Sequence, residues 1–387
     1  MRPTDSKHGR TGGGSSGRFQ GPWPGYDGAE GRGVPISNDK HFRVGLLVPM
    51  CGSAGLWGPS CISSAETALA ELNAGNGIAG REASMVLVDA AVETGDDLHW
   101  TVHDMIESGE ISAIVGMHIS AVRQGLSKVV SGRVPYVYTP LYEGGEASPG
   151  VYAIGETPSD QLCPAIASIA RRHKVSRWAL IGNDYVWPRS SHQFAKRRIR
   201  EAGGKVVLDC YVPIGAKCDE ALFDALVASE ADALILSLVG QDAVDFNRAF
   251  GALNLDRRIV RLSCAIEENG LLAVGAENTK RLYAASSYFG VVDTPANQRF
   301  KEAYRSHHGD TAPTLNNLGQ SVYEGVHFLS QVMRRQSGGR RDGIRYTSAR
   351  GVTYYDNANK TMQTYLARAN GMTFDIVETF PARPGSF

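Results

Sequence analysis

The sequence has no excess of charge of either sign: 40 Lys and Arg stand against 40 Asp and Glu in 387 residues. Duplex nucleic acid is held by clustered basic charge that neutralises phosphates, so a nucleic-acid partner is not expected. Apolar runs of the roughly 18 to 20 residues that span a bilayer as a helix are also missing. The cysteines at 51, 61, 163, 210, 218 and 264 make no Cys-x-x-Cys, and no histidine lies near the closest pair, Cys210 and Cys218. They read as small, mostly buried hydrophobes rather than metal ligands or a disulfide framework. No metal and no cofactor are expected. Paired carboxylates and an activated nucleophile are absent too, so the sequence does not read as an enzyme.

The first forty residues are poor in core-forming side chains, with ten glycines, four prolines and only Phe19, Val34 and Ile36 from the Leu, Ile, Val and Phe set. Residues 1–41 are expected to form a disordered tail, because such a stretch buries too little surface to offset its ordering entropy. A secretory leader would need an apolar stretch of about 7 to 15 residues there. Gly13-Gly14-Ser15-Ser16-Gly17 matches a hydrolase elbow formally, but neither strand nor helix flanks it.

From Phe42 short apolar runs alternate with amphipathic stretches. The strands read as 43–48, 84–89, 113–115, 135–138, 178–182, 205–211, 233–238, 258–262 and 281–285. Helical segments read as 60–73, 98–108, 161–172, 190–202, 220–228, 242–252 and 296–307. This spacing predicts parallel βαβ units in a doubly wound α/β fold. The length favours two domains. In such sheets ligands sit beyond the carboxyl ends of the strands, so the residues just after each strand carry the functional signal.

Those loops lack the marks of a nucleotide site. Gly52, Gly55 and Gly58 do not space as Gly-x-Gly-x-x-Gly, and Trp57 would crowd a pyrophosphate. Asp89 alone suits a ribose clamp, and a strand-end Asp commonly serves a turn. What the loops do hold is hydroxyls and aromatics: Ser120, Tyr138, Thr139, Tyr142, Tyr185 and Trp187, a set suited to hydrogen-bonding a small polar molecule between rings. His99, His103 and Glu107 on one helix face, and the basic runs at 196–200 and 334–345, read as solvated surface.

At these loops the sequence resembles the type I periplasmic-binding-protein superfamily, and within it the amide- and urea-binding branch. That branch includes the cytosolic aliphatic-amide sensor regulating amidase expression and the urea or branched-chain amino-acid receptors of ABC importers. The matching stretches are 44–49, 72–81, 115–120, 142–144, Ile181-Gly182-Asn183-Asp184-Tyr185-Val186-Trp187-Pro188-Arg189, and Tyr288-Phe289 with Asp293-Thr294-Pro295. The resemblance implies two parallel-sheet lobes joined by three crossovers near 155, 285 and 350, closing on a ligand by hinge bending. Lobe one would be 42–155 plus 286–348, and lobe two 156–285 plus 349–387 with a hairpin to Phe380. It implies ligand contacts from Ser120, Tyr138, Tyr185 and Trp187, with His118, Thr139, Val239, Ala265 and Glu267 around them. Here Tyr138-Thr139-Pro140 replaces the family's commoner Tyr-Pro-Thr. His118 stands where the amide sensor has an aromatic, and Trp187 where it has a tyrosine.

A neutral amide or urea needs donors, acceptors and a flat apolar wall. An amino acid would also need a carboxylate for its ammonium, from Asp184 or Glu267. The leading expectation is a solute receptor that presents its closed form to an ABC permease. The alternatives are a cytosolic amide sensor acting on a regulatory protein and, more remotely, a nucleotide-dependent enzyme. The importer reading implies a periplasmic location, and the first forty residues as they stand imply a cytoplasmic one. A homodimer is compatible with either.

Overall fold

The computed structural model describes residues 40–91, 97–337, 346–354 and 360–384. Residues 1–39 of the expected tail, with the elbow-like motif, and 338–345 of the basic connector lie outside the described residues.

The first sheet contains β1 (His41–Val48), β2 (Glu82–Asp89), β3 (Ala113–Gly116), β4 (Tyr136–Tyr138) and β5 (Val151–Ala153), all parallel in the order β2-β1-β3-β4-β5. Strand β3 is buried throughout and β1 nearly so, as expected of strands covered on both faces. Helices α1 (Gly58–Asn73), α2 (Asp97–Glu107) and α3 (Ser120–Val130) connect these strands.

The chain then enters a second sheet through α4 (Pro158–His173), β6 (Arg177–Asn183), α5 (Val186–Glu201), β7 (Lys205–Val212), α6 (Glu220–Ala228), β8 (Ala233–Ser237), α7 (Gly240–Ala252), β9 (Val260–Ser263), α8 (Glu268–Val274) and β10 (Leu282–Ser286). The parallel strands lie in the order β10-β9-β8-β6-β7. This repeats the winding of the first sheet, and each sheet has a switch point where the strand order reverses: between β1 and β3, and between β6 and β8.

Helices α9 (Pro295–His308) and α10 (Asn317–Ser337) return to pack on α1 of the first lobe. The chain ends back in the second sheet with β11 (Tyr346–Thr347), β12 (Thr353–Tyr354), β13 (Lys360–Asn370) and β14 (Thr373–Pro384). These last strands pair antiparallel, so the second sheet is mixed rather than wholly parallel. The reason is local: β13 and β14 are joined by the two-residue turn Gly371-Met372, with Gly371 at φ 64, and a turn that short can only make a hairpin.

The crossovers are knotted by buried charge. Arg350 donates through Nε to Glu324 of α10 at 2.8 Å and through Nη1 to Ser287 Oγ at 2.9 Å. Glu156, at the first crossover, accepts from the Ser287 backbone N–H at 2.9 Å and lies 3.7 Å from the Arg350 guanidinium. Tyr354 donates to Glu324 at 2.5 Å and lies 3.1 Å from the Ile154 carbonyl. Burial opposes the charge on Arg350, but Glu324, Tyr354 and Glu156 outweigh it and raise the guanidinium's pKa further.

Candidate functional site

Where the two sheets face each other, the carboxyl ends of β1, β3 and β4 meet those of β6, β8 and β9 around one small cavity. Its walls are Trp57, Met117, His118, Ile119, Ser120, Tyr138, Pro140 and Leu141 from the first lobe's strand ends, Leu318 from α10, and Tyr185, Trp187, Val239 and Ala265 from the second. The cavity holds about 20 Å³, room for one water, so a solute is admitted only when the lobes part.

No Asp, Glu, Lys or Arg is among the lining residues. Two polar atoms there are buried without a hydrogen-bond partner among the described residues: the Trp187 indole N–H and the Ser120 hydroxyl, in residues 3% and 2% exposed. The Ser120 hydroxyl is near enough to the Tyr138 oxygen to act on its titration without reaching hydrogen-bond geometry, and the Tyr138 hydroxyl donates to the His118 carbonyl at 2.7 Å. Unpaired buried donors are costly, and facing a cavity they mark where a ligand's acceptor would complete the bonding. Ser120 opens α3 and Trp187 lies in the first turn of α5, so both sit at positive helix ends. The rings of Tyr185 and Trp187 stand 6.4 Å apart and tilted, forming the flat side of the cavity.

Of the residues the sequence singled out, the structure brings Ser120, Tyr138, Tyr185, Trp187, His118, Val239 and Ala265 to this one cavity. His118 contributes its ring but no free nitrogen. Its Nδ1 lies 3.2 Å from the Ile119 carbonyl, and its Nε2 pairs with the Tyr136 hydroxyl at 2.9 Å. Burial lowers its pKa to about 4, so the imidazole is neutral.

Thr139 is displaced from the wall. Side chains alternate along a strand, and with Tyr138 facing the cavity Thr139 turns behind it, where its hydroxyl lies 3.2 Å from Ser321 Oγ and 3.4 Å from the Gly116 carbonyl. Tyr142 lies outside as well, against a wider groove of about 530 Å³ beside Thr157, Phe194 and Lys360. Asp184 is exposed and bound to Arg189 at 2.6 Å. Glu267 borders the cavity without lining it: its carboxylate accepts the Trp57 indole N–H at 3.1 Å. Burial pushes its pKa up to about 8, helped by Glu268 and opposed by the Trp57 bond.

The sequence reading missed Trp57, Met117, Ile119, Pro140, Leu141 and Leu318. Trp57 carried a usable signal, an aromatic in the loop after the first strand. Leu318 carried none, because α10 joins the wall only through tertiary packing.

The chain matches the periplasmic binding protein family over residues 41–375. Among solved structures it is similar to an ABC-transporter solute-binding protein from R. palustris in complex with 4-hydroxybenzoate, at 18% identity and a TM-score of 0.75, covering 89% of this chain and 98% of that one. It is also similar to the branched-chain amino acid transporter substrate-binding protein from Streptococcus pneumoniae in complex with isoleucine, at 16% identity, a TM-score of 0.74, and coverage of 89% and 100%. A leucine-binding protein from Thermotoga maritima aligns at 16% identity with a TM-score of 0.73, over 88% of this chain and 99% of that one. With most of its length matched by that family, the chain belongs to the periplasmic binding proteins and is a solute-binding protein rather than an enzyme.

Proposed function

We propose that this chain is the receptor of an ABC-type importer and that its solute is small, flat and headed by an acceptor oxygen, a carboxamide or urea before an aromatic carboxylate. The observation that carries this reading is the pair of donors without a partner among the described residues, Ser120 Oγ and Trp187 Nε1, in a cavity without a charged side chain. A carbonyl oxygen is an acceptor for either donor. The aromatic walls of Tyr138, Tyr185 and Trp187 suit a planar body. An α-amino acid fits less well, because its ammonium would meet no free carboxylate: Asp184 is tied to Arg189, and Glu267 to Trp57. The partner of the closed form would be a membrane permease.

A thermal-shift panel of urea, benzamide, 4-hydroxybenzoate, isoleucine and NAD tests this. A ligand at about 1,000 times its Kd stabilises the native state by about 4 kcal/mol. A shift with urea, benzamide or 4-hydroxybenzoate that is lost in Ser120→Ala/Trp187→Ala supports the reading. A shift with isoleucine or NAD alone overturns it.

A further inference from the structure

We propose that Asp242 is a closure latch, a positioning residue that holds the two walls of the cavity together from outside it. Asp242 stands in the first turn of α7, is 6% exposed, and does not line the cavity. Its carboxylate is divided between the lobes. One oxygen accepts from Ser53 Oγ of the first lobe at 2.7 Å; the other accepts from Asn183 Nδ2 at 2.7 Å and the Gly215 N–H at 2.9 Å, both of the second lobe.

Each partner leads to a wall. Asn183 also accepts the Val239 N–H at 2.9 Å, fixing a lining residue of lobe two. Ser53 lies in the loop that ends at Trp57, a lining residue of lobe one. The same loop is seated a second time, since the Ser53 carbonyl accepts the Gln241 N–H at 2.7 Å. The approach is so close that a Cβ on Gly240 would fall 1.9 Å from that carbonyl oxygen, and Gly240 has φ 56, a conformation that also favours glycine.

Ser53 meets Gly240, Gln241 and Asp242 only when the lobes are together, and none of these four residues lines the cavity. The latch therefore acts on the closed population and not on the chemistry of the solute. The solute enters the open form and the latch bonds form as the lobes close over it, so they stabilise every complex alike and loosening the latch weakens every ligand by one common factor. Substitutions at Ser120 or Trp187 change the order of preference instead. This rests on the receptor reading only for the affinity measurement; the closed population is measurable without any solute.

The experiment places a donor and an acceptor dye through non-natural residues at exposed Lys128 of lobe one and exposed Glu220 of lobe two, and reads the distance distribution by single-molecule FRET with no added solute. Wild type is expected to show a dominant longer-distance population and a minor short-distance one. Ser53→Ala should move part of the short-distance population to longer distance, Ser53→Thr should restore it, and Gly240→Ala should remove most of it. In parallel, benzamide and 4-hydroxybenzoate are titrated calorimetrically, and Ser53→Ala should weaken whichever of them bind by the same factor, about three- to thirtyfold. Distance distributions of Ser53→Ala and Gly240→Ala that match wild type would overturn the latch. If neither probe binds wild type, the assigned solute class fails while the distances still decide the latch.

Discussion

The crossovers and the cavity are both buried, and they treat polar groups in opposite ways. At the crossovers Arg350 and Glu324 have side chains at most 1% exposed, yet they are joined to each other, to Ser287 and to Tyr354. In the cavity no charged side chain is present, and Ser120 and Trp187 keep donors with no hydrogen-bond partner among the described residues. The first pattern is what a fixed joint needs, since a buried charge without partners is prohibitive. The second is what a receptor needs, since a donor already satisfied has nothing left for a solute. An unpartnered donor is not enough alone: the Trp178 indole N–H is also buried without a partner, but Trp178 does not line the cavity.

The largest effect is expected at the joint. Arg350→Met strands Glu324 and Glu156 in the interior and should cost about 3 to 5 kcal/mol of stability, read by urea unfolding. A loss under about 1 kcal/mol would mean that the knot is not structural. In the cavity the prediction reverses. Trp187→Phe removes an N–H that has no partner among the described residues, so the melting temperature should fall only by the lost ring packing while affinity for the panel's ligand falls about three- to tenfold. A collapse in melting temperature with affinity unchanged would mean that Trp187 serves the core alone, as Trp178 does.

Thr139→Val separates wall from backing. It should cost on the order of 1 kcal/mol through the lost Ser321 and Gly116 contacts and leave affinity alone. A changed affinity would put Thr139 back in the site.

The smallest effect is a slope with pH. Glu267 titrates near 8 when folded and near its ordinary carboxylate value when unfolded. Between those limits the unfolded chain gives up a proton that the folded one keeps, so stability falls as pH rises through that window. Glu268, pushed by burial up to about 7, adds a slope of the same sign. Glu267→Gln retains an acceptor for Trp57 and removes its share, so its melting temperature should drop less than wild type between pH 5 and 8. Equal drops would mean that Glu267 is ionised in the fold.

Much of the fold was legible because buried parallel strands are short apolar runs and the helices between them are amphipathic. Helix α6 falls on the expected 220–228, and most other predicted elements differ from the observed ones by one to four residues at their ends. Helices α3, α8 and α10 escaped. In α10 the buried face includes Gln320, Ser321 and Glu324, which interrupt the apolar stripe that a periodicity reading follows. The cavity wall was legible at strand ends, where topology alone gathers residues. It failed where orientation or distant pairing decides: Thr139 turns away by strand alternation, and Glu267 is claimed by Trp57, 210 residues earlier. The Ser53 to Asp242 bond spans 189 residues and had no sequence signature.

The most direct measurement is the indole ¹H–¹⁵N NMR spectrum during titration with whichever of urea, benzamide and 4-hydroxybenzoate raises the melting temperature, with Trp187→Phe and Trp178→Phe assigning two of the five tryptophan signals. The Trp187 indole should shift saturably downfield as its N–H finds an acceptor, while the Trp178 indole stays in place. A stabilising ligand that leaves the Trp187 signal unmoved would contradict the assignment of this cavity as the binding site.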